Sequence, residues 1–224
     1  AKLAVRDLPN ACTTGIDGGV TVSATARAAA AAGITVMATG GIGGVHRGSS
    51  TADVSADLWE MTGTPIAIVC SGPKAILDVP ATIEWLESHS VPIYGYKTDT
   101  LPAFYTAKSE INVPEMSGVD QLAEVIKMTF GALGMRSSVL IAVPVPQSDD
   151  VDLSAHIEEA IRQADAEAIT GKQMTPWILA KIAELSNGRS VASNVALLKN
   201  NARIAARLAC ALHGNERPRM GFYA

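Results

Sequence analysis

Several features that mark particular protein classes are scarce or absent in these 224 residues. Cysteine occurs only three times, at distant positions and without a C-x-x-C pair, which favours reduced thiols in a cytoplasmic protein over a disulfide framework. The formal net charge is −4 and no basic block occurs, so a nucleic-acid partner is not expected. No apolar run is long enough to span a bilayer, so we expect no membrane association.

Apolar residues are abundant, at 48% of the chain, and they form short runs that alternate with segments of helical periodicity. This pattern predicts the α/β class, with a mostly parallel sheet inside a single three-layer α/β/α domain over residues 1–224. The predicted strands are 34–38, 65–70, 91–96 and 138–143, and residues 2–5 are predicted to be the end of a further strand. The predicted helices are 20–32, 80–89, 119–133, 153–168, 177–185 and 190–212, and residues 213–224 are predicted to be a loose tail.

A glycine-rich loop follows the first predicted strand. Its glycines are Gly40, Gly41, Gly43, Gly44 and Gly48. Because glycine lets backbone N–H groups approach a ligand closely, the loop predicts either an anion site, helped by Thr39, His46 and Arg47, or a plain turn. The dinucleotide motif fails because His46 stands where it needs a glycine, and the P-loop motif fails because its lysine is missing.

Two carboxylates follow this loop at a spacing of four residues, Asp53 and Asp57. If the segment is helical they share one face, and they could offer oxygens to one hard cation or to sugar hydroxyls. The alternative is that they cap the start of a helix, where the dipole stabilises negative charge. An EF-hand is excluded, because Leu58 stands where its glycine belongs and Thr64 where its glutamate belongs.

A lysine stands four residues after the apolar run 65–70, in Ser71-Gly72-Pro73-Lys74. A lysine after Gly-Pro is usually a solvated surface residue, but ligands of open α/β sheets bind at the carboxyl ends of the strands. We expect residues 75–77 to begin a helix, and a helix N-terminus and burial both lower the pKa of an amine. A neutral amine can attack a carbonyl, so Lys74 is a candidate Schiff-base nucleophile.

Six separated blocks carry a resemblance to a known family. They are ATGGIGGVHRG (38–48), DVSADL (53–58), VCSGPKAILD (69–78), VPIYGYKTDTLPAFY (91–105), GKQMTPWILAKIAEL (171–185) and SNVALLKNNARIAA (193–206). In content and order they resemble the pseudouridine-5′-phosphate glycosidases, also called indigoidine synthase A-like proteins. The resemblance implies an enzyme that reversibly cleaves the C–C glycosidic bond of pseudouridine 5′-phosphate to uracil and ribose 5-phosphate. It further implies a divalent cation, usually Mn²⁺, and a homotrimer.

The resemblance also implies roles for individual residues. Lys74 corresponds to a nucleophile that forms a Schiff base with ring-opened ribose, and Asp53 to a metal ligand. Substrate contacts are implied for Lys2, Val22, Ser55, Ala56, Asp57 and Asn194. Thr39 and His46, beside the glycine loop, complete the candidate substrate-binding set.

Three asparagines in the last predicted helix need partners, because asparagine is a poor residue for a helix interior. They are Asn194, Asn200 and Asn201. Hydrogen bonds from the helix to nearby loops are one interpretation. A contact from Asn194 to uracil or sugar is the other, and it is the one that the family resemblance implies.

The chain departs from the family pattern in three places. Val143 stands where the family has an asparagine, and the loop between His46 and Asp53 is one residue shorter. The family segment E-S-T-I-I-A-H-G-M-P, whose glutamate donates a proton, is not among these residues. This leaves two alternatives, a non-catalytic phosphosugar-binding or subunit-contact chain, and a different Schiff-base lyase acting on sugar phosphates. Uracil release from pseudouridine 5′-phosphate separates the glycosidase from both.

Overall fold

A computed structural model of the protein describes residues 1–47, 53–170 and 173–214. Four parts of the sequence patterns above therefore lie outside the described residues. They are Gly48 at the end of the glycine loop, the shortened loop 49–52, residues 171–172 of the fifth block and residues 215–224 of the predicted tail.

The main sheet has five strands, and every pairing between them is parallel. The strands are β3 (Val36–Ala38), β4 (Ala67–Cys70), β5 (Ile93–Tyr96), β6 (Glu115–Met116) and β7 (Val139–Ala142), in the spatial order β3, β4, β7, β5, β6. A separate parallel pair joins β1 (Lys2–Leu3) to β2 (Gly19–Val20). The parallel sheet confirms the predicted fold class. Two strands of only two residues, β2 and β6, were not predicted.

Eight α-helices occur within the described ranges. They are α1 (Leu8–Thr14), α2 (Val22–Ala31), α3 (Ala56–Met61), α4 (Val79–Ser88), α5 (Val119–Lys127), α6 (Ser154–Ala166), α7 (Met174–Leu185) and α8 (Arg189–His213). The side chains of Thr21 and Asp78 cap the starts of α2 and α4 by accepting backbone hydrogen bonds. None of the described helices is long and apolar enough to cross a bilayer.

The strand β4 shows why the sheet is covered on both faces, since all four of its residues are fully buried. Ile68 and Cys70 pack in one apolar cluster with residues of α2, α3 and α4. Ala67 and Val69 pack in a second cluster with residues of α5 and α8. Because successive side chains of a strand point to opposite faces, a strand covered on both sides is apolar throughout. The three layers predicted from the sequence are confirmed.

The chirality of parallel crossovers accounts for which helix covers which face. The connections through α3 and α4 advance across the sheet in one direction, from β3 to β4 and from β4 to β5, and both helices pack on the same face. The connection through α5 returns from β6 to β7, and α5 packs on the other face. Right-handed crossovers in opposite directions place their helices on opposite faces.

A third apolar cluster encloses the segments that leave β4, β5 and β7. Ile76, Phe104 and Val145 from these segments pack with residues of α6, α7 and α8. The carboxyl edge of the sheet is thus bordered by helices, and the turn that follows β4 is enclosed between them. The last described helix extends one residue further than predicted, because His213 is still helical and its Nε2 lies 2.7 Å from Thr35 Oγ1.

Candidate active site

Lys74 lies in a turn at the carboxyl end of β4, alongside the glycine loop. Its backbone N–H donates to the carbonyl of Ile42 at 3.1 Å, and Ile42 and Pro73 form a parallel bridge. Gly72, before it, has φ +82°, and a Cβ there would lie 2.3 Å from the carbonyl oxygen of Pro102. Only glycine suits both the left-handed backbone and this close approach. The path from β4 to Lys74 is therefore set by backbone contacts.

Burial lowers the pKa of the Lys74 amine below its ordinary value of 10.5. The negative charge of Asp57 opposes this shift, while the positive charge of Lys2 lowers the pKa further. The predicted contribution of a helix start at residues 75–77 was wrong, since Ala75 and Ile76 form a turn and α4 begins at Val79. Desolvation therefore raises the neutral fraction of the amine, and a neutral amine is the nucleophilic form.

Asp57 is a buried carboxylate that joins three parts of the chain. Its Oδ1 accepts from the backbone N–H of Ser23 at 2.8 Å, and its Oδ2 accepts from the N–H of Gly43 at 2.9 Å. These bonds connect α3, where Asp57 stands, to the start of α2 and to the glycine loop. Because both oxygens already accept hydrogen bonds, Asp57 holds the site together and supplies a negative charge that acts on Lys74.

The hypothesis that Asp53 and Asp57 share a helix face was wrong. The helix α3 begins at Ala56 with Ser55 as its N-cap, so Asp53 precedes the helix. Asp53 is exposed and Asp57 is buried, so the two carboxylates lie in different environments. Within the described ranges, no group of three or more histidine, cysteine, aspartate or glutamate side chains is placed to hold a metal ion.

The glycine loop uses most of its N–H groups internally. The N–H of Ile42 donates to the carbonyl of Gly72, and that of Gly43 to the carboxylate of Asp57. The N–H of Val45 donates to the hydroxyl of Thr82, and that of His46 to the carbonyl of Asp53. A Cβ on Gly43 would lie 2.2 Å from Ser55 Oγ, so close packing explains this glycine. These four N–H groups are not available to an anion, which corrects that part of the anion-site interpretation.

Arg47 has a different function from the one that the anion interpretation gave it. Its Nε donates to the carbonyl of Leu77 at 3.1 Å, and one of its terminal nitrogens donates to the carbonyl of Ala75 at 3.0 Å. The guanidinium thus ties the end of the glycine loop to the turn that follows Lys74. A cavity of about 200 Å³, smaller than a typical ligand pocket, lies beside this turn and is lined by residues that include Arg47, Ala75, Val79 and Tyr105.

The first part of the chain brings two further candidate residues to the site around Lys74 and Asp57. The pairing of β1 with β2 places Lys2 opposite Gly19, next to the start of α2, where Val22 is the first helical residue and is buried. Lys2 acts electrostatically on Lys74, so these two lysines and Asp57 form one group of interacting charges. Ser55 and Ala56 stand at the start of α3, and the hydroxyl of Ser55 accepts from the N–H of Asp57.

The remaining candidates lie along the glycine loop. Thr39 follows β3 directly, and its carbonyl accepts a hydrogen bond from α8. Asn194 brings its side-chain oxygen to 3.2 Å from the position that a Cβ on Gly40 would occupy. His46 stands at the other end of the loop, where its backbone N–H pairs with Asp53 at 3.1 Å. The structure therefore groups Lys74, Lys2, Val22, Ser55 and Asp57, and it places His46 and Asp53 together at the end of the loop.

Two asparagines of α8 form the helix-to-loop hydrogen bonds that were one of the two interpretations. Asn200 Nδ2 donates to the carbonyl of Pro144 at 3.3 Å. Asn201 is fully buried, and its Nδ2 donates to the carbonyl of Thr39 at 2.9 Å and to Ser71 Oγ at 3.2 Å. The three asparagines were the signal for such contacts in the sequence, but Ser71 and Ser23 were missed because serine in a loop or helix start is not distinctive.

All three cysteines are free, and Cys70 lies close to the candidate nucleophile. Complete burial raises the pKa of its thiol to about 12. It is therefore a neutral thiol at physiological pH, and a neutral thiol is a poor nucleophile. Of these two residues, Lys74 is therefore the better candidate for the nucleophile.

Replacing Lys74 with methionine is expected to stabilise the protein at neutral pH. Below the lowered folded-state pKa, the wild type carries the full cost of a partly desolvated ammonium. Between that pKa and the ordinary 10.5, the unfolded chain binds more protons, so the wild type's free energy of unfolding rises with pH. The advantage of Lys74→Met should disappear above pH 10.5. Thermal unfolding at several pH values measures the stability difference between the variant and the wild type. An increase of about 1 kcal/mol in the free energy of unfolding would raise Tm by about 2–4 °C. The exposed Lys108→Met is the control, and equal Tm changes in both variants would contradict the expectation.

The sequence matches a family profile described as "Indigoidine synthase A like protein" over residues 1–211. The chain belongs to this family. Among curated relatives, the pseudouridine-5′-phosphate glycosidase of Methylobacterium nodulans is 46% identical over 95% of this chain and 64% of its own length. That of Sorangium cellulosum is 48% identical over 95% of this chain and 68% of its own length. The family resemblance seen in the sequence is confirmed.

Two solved structures have the same fold as this chain. An indigoidine synthase A-like protein from Thermotoga maritima superposes with a TM-score of 0.87 at 35% identity, covering 93% of this chain and 70% of that chain. The prealnumycin C-glycosynthase AlnA, in complex with ribulose 5-phosphate, also gives a TM-score of 0.87, at 37% identity, covering 94% of this chain and 71% of that chain. The chain spans about two thirds of the length of the curated relatives it matches.

Proposed function

We propose that the protein is a pseudouridine-5′-phosphate glycosidase in which Lys74 forms a Schiff base with ring-opened ribose. The observation that carries this proposal is a partly buried lysine of lowered pKa at the carboxyl end of the fully buried strand β4. Perturbed lysines in such positions are typical of covalent catalysis on carbonyl compounds. The names of the relatives, which are 42–48% identical to this chain, supply the substrate.

A carbon leaving group explains why an amine is needed. Ordinary glycosidases place two carboxylates around a sugar whose leaving group is a heteroatom with a lone pair, and the uracil carbon of pseudouridine has none. In the proposed reaction the C1′–O4′ bond breaks, O4′ takes a proton, and the Lys74 nitrogen bonds to C1′ and loses a proton. The nitrogen lone pair then forms C1′=N as the C1′–C5 bond breaks, and the uracil carbon takes a proton. Water hydrolyses the iminium to ribose 5-phosphate and restores the amine.

The neighbours of Lys74 suit this sequence of steps. Lys2 and burial favour the neutral amine that must attack, while Asp57 favours the positively charged iminium that forms afterwards. We propose that Lys2, Val22, Thr39, His46, Ser55, Ala56 and Asn194 bind the substrate. The proton donor implied by the family resemblance is a glutamate of a segment that is not among these residues.

The proposed ligand of the site around Lys74 is a pentose 5-phosphate. The AlnA structure is a complex with ribulose 5-phosphate, which supports a five-carbon sugar phosphate as the ligand here as well. In the reverse direction the same intermediate would join uracil to ribose 5-phosphate and so form a C-glycoside. The positive charge of Lys2, on an exposed strand beside the start of α2, is available to the phosphate.

The direct test of the proposed function is release of uracil from pseudouridine 5′-phosphate. When the glutamate-bearing family segment is present, we expect turnover with this substrate. With pseudouridine we expect a loss of about 100-fold or more in kcat/KM, because a charge-assisted contact to the phosphate is worth about 1.5–3 kcal/mol and several contacts are lost. Liquid chromatography of uracil measures both rates. Equal rates with the two substrates would count against a phosphate site, and no uracil from either would contradict the function.

We further propose that Asp53 holds a divalent cation, with Mn²⁺ as the first candidate. One exposed carboxylate suits a hard cation whose other ligands are waters and substrate oxygens, and such an ion would supply charge stabilisation for substrate oxygens. Asp53→Ala should abolish calorimetric Mn²⁺ binding while leaving the Tm of the metal-free protein within about 1 °C, because surface substitutions change stability little. The exposed Asp120→Ala, on α5, is the control. Unchanged Mn²⁺ binding by Asp53→Ala would place the ion elsewhere.

We also propose that the protein is a homotrimer, as the family resemblance implies, and that it is cytoplasmic, as its free cysteines favour. Sedimentation at micromolar concentration would measure the oligomer, and a monomer would contradict the proposal.

A further inference from the structure

The loops that carry the site are connected through one buried side chain of α8, Asn201. Its amide nitrogen donates to the carbonyl of Thr39, directly after β3, and to Ser71 Oγ, directly after β4. Thr39 leads into the glycine loop, and Ser71 leads into Gly72, Pro73 and Lys74. A fully buried amide with two partners on neighbouring strand ends links the two loops without water.

Ser71 is held at all three of its polar groups. Its N–H donates to the carbonyl of Gly40 at 2.9 Å, its carbonyl accepts from the N–H of Phe104 at 3.0 Å, and its hydroxyl contacts Asn201. Phe104 has φ +64°, an unfavourable conformation for a bulky residue. A Cβ on Gly41 would lie 2.6 Å from the ring of Phe104, so this aromatic side chain packs directly on the glycine loop. Strained residues persist only where the surroundings over-determine them.

We propose that Asn201 is a positioning residue for the Lys74 amine, acting through Ser71 and through the Thr39–Gly40 end of the glycine loop. Lys74 stands three residues after Ser71, and its own N–H pairs with Ile42 of the glycine loop. Movement of either loop would therefore move the amine. Small misplacements of a reacting group cost large factors in rate, which is why a hydrogen-bonded support behind the nucleophile has value. This inference rests on the proposed role of Lys74.

A matched control is available on the same helix. Asn200 also donates from α8 to a loop carbonyl, that of Pro144 after β7, and this hydrogen bond goes to neither of the two loops that Asn201 joins. A change from asparagine to leucine at either position removes one side chain's polar contacts and keeps its branching at Cγ. The two variants therefore separate loss of the Thr39–Ser71 link from loss of a hydrogen bond on α8 in general.

The experiment measures trapping of the Schiff base with ribose 5-phosphate and borohydride. We expect Asn201→Leu to lower the maximal trapping rate at Lys74 by about 10- to 100-fold, with the half-saturating concentration of ribose 5-phosphate changed by less than about twofold. Asn200→Leu should trap at the wild-type rate. A loss of affinity without a loss of maximal rate, or an equal loss in both variants, would overturn the proposal. If Asn201→Leu does not fold, Ser71→Ala removes only the hydroxyl and should still slow trapping by at least about threefold, and an unchanged rate would overturn the inference.

A second measurement does not depend on the proposed function. Competitive labelling of amines across pH gives the midpoint at which Lys74 becomes reactive. In Asn201→Leu this midpoint should move upward, towards that of an exposed lysine, because loosened loops admit water to the amine. It should stay at the wild-type value in Asn200→Leu. If the wild type forms no adduct, the proposed function fails while labelling still decides the role of Asn201, and an unmoved midpoint in Asn201→Leu would refute that role.

Discussion

Lys74→Arg is expected to abolish uracil release, with a loss of about 10⁴-fold or more in kcat, because it removes the group that bonds to C1′. Arginine keeps a positive charge but cannot become a neutral amine in the accessible pH range. The same variant should form no borohydride-trapped adduct with ribose 5-phosphate. Steady-state turnover and peptide mass mapping measure the two effects, and in the wild type the adduct should lie on the peptide that carries Lys74.

The exposed Lys108→Arg is the matched control for this experiment, since it makes the same chemical change away from the carboxyl end of β4. It should keep both turnover and adduct formation. An adduct on another lysine of the wild type, or wild-type turnover by Lys74→Arg, would show that a different residue forms the covalent bond.

Asp57→Ala should lower the free energy of unfolding by about 2–5 kcal/mol. The substitution leaves the N–H groups of Ser23 and Gly43 without their acceptor in a buried place, and each unsatisfied group costs about 1–3 kcal/mol. Denaturant unfolding measures the change. Asp53→Ala removes an exposed carboxylate four residues earlier and should change stability by less than about 0.5 kcal/mol. Similar effects at the two positions would mean that the buried bonds of Asp57 contribute little.

The milder Asp57→Asn variant isolates the charge of this side chain. Its amide oxygen can still accept one of the two backbone bonds, so the stability loss should be smaller than that of Asp57→Ala. Removing the negative charge should move the pKa of Lys74 further down, because Asp57 is the main group that opposes its lowering. Labelling of Lys74 across pH measures this shift, and an upward shift would contradict the assigned electrostatics.

Local sequence was sufficient for the features that depend on short segments. The run 65–70 is apolar at almost every position, and a strand covered on both faces requires this, so β4 and its burial were predicted correctly. Gly72 and Lys74 follow at a fixed distance, so the place of the lysine at the carboxyl end of the sheet followed as well. The six sequence blocks were sufficient to identify the family, because each block combines several residue types in one order.

Features that depend on the residue at which a helix begins could not be predicted from the local sequence. The spacing of Asp53 and Asp57 is compatible with one helical face, but the N-cap at Ser55 leaves Asp53 outside the helix. Similarly, residues 75–77 have no local signal that distinguishes a turn from a helix start. Boundaries of this kind are decided by capping and by packing against other segments.

The sequence alone determined the fold class, the family and the candidate nucleophile, because apolar periodicity and contiguous motifs are local properties. Tertiary structure decided what surrounds that nucleophile. Ser23 reaches Asp57 across 34 residues, and Asn201 reaches Ser71 and Thr39 across 130 and 162 residues. Such partners are chosen by the way the layers pack, since a buried polar group must be satisfied by whatever the fold brings to it. The asparagines of α8 indicated in the sequence that partners were needed, and only the packed sheet edge identified them.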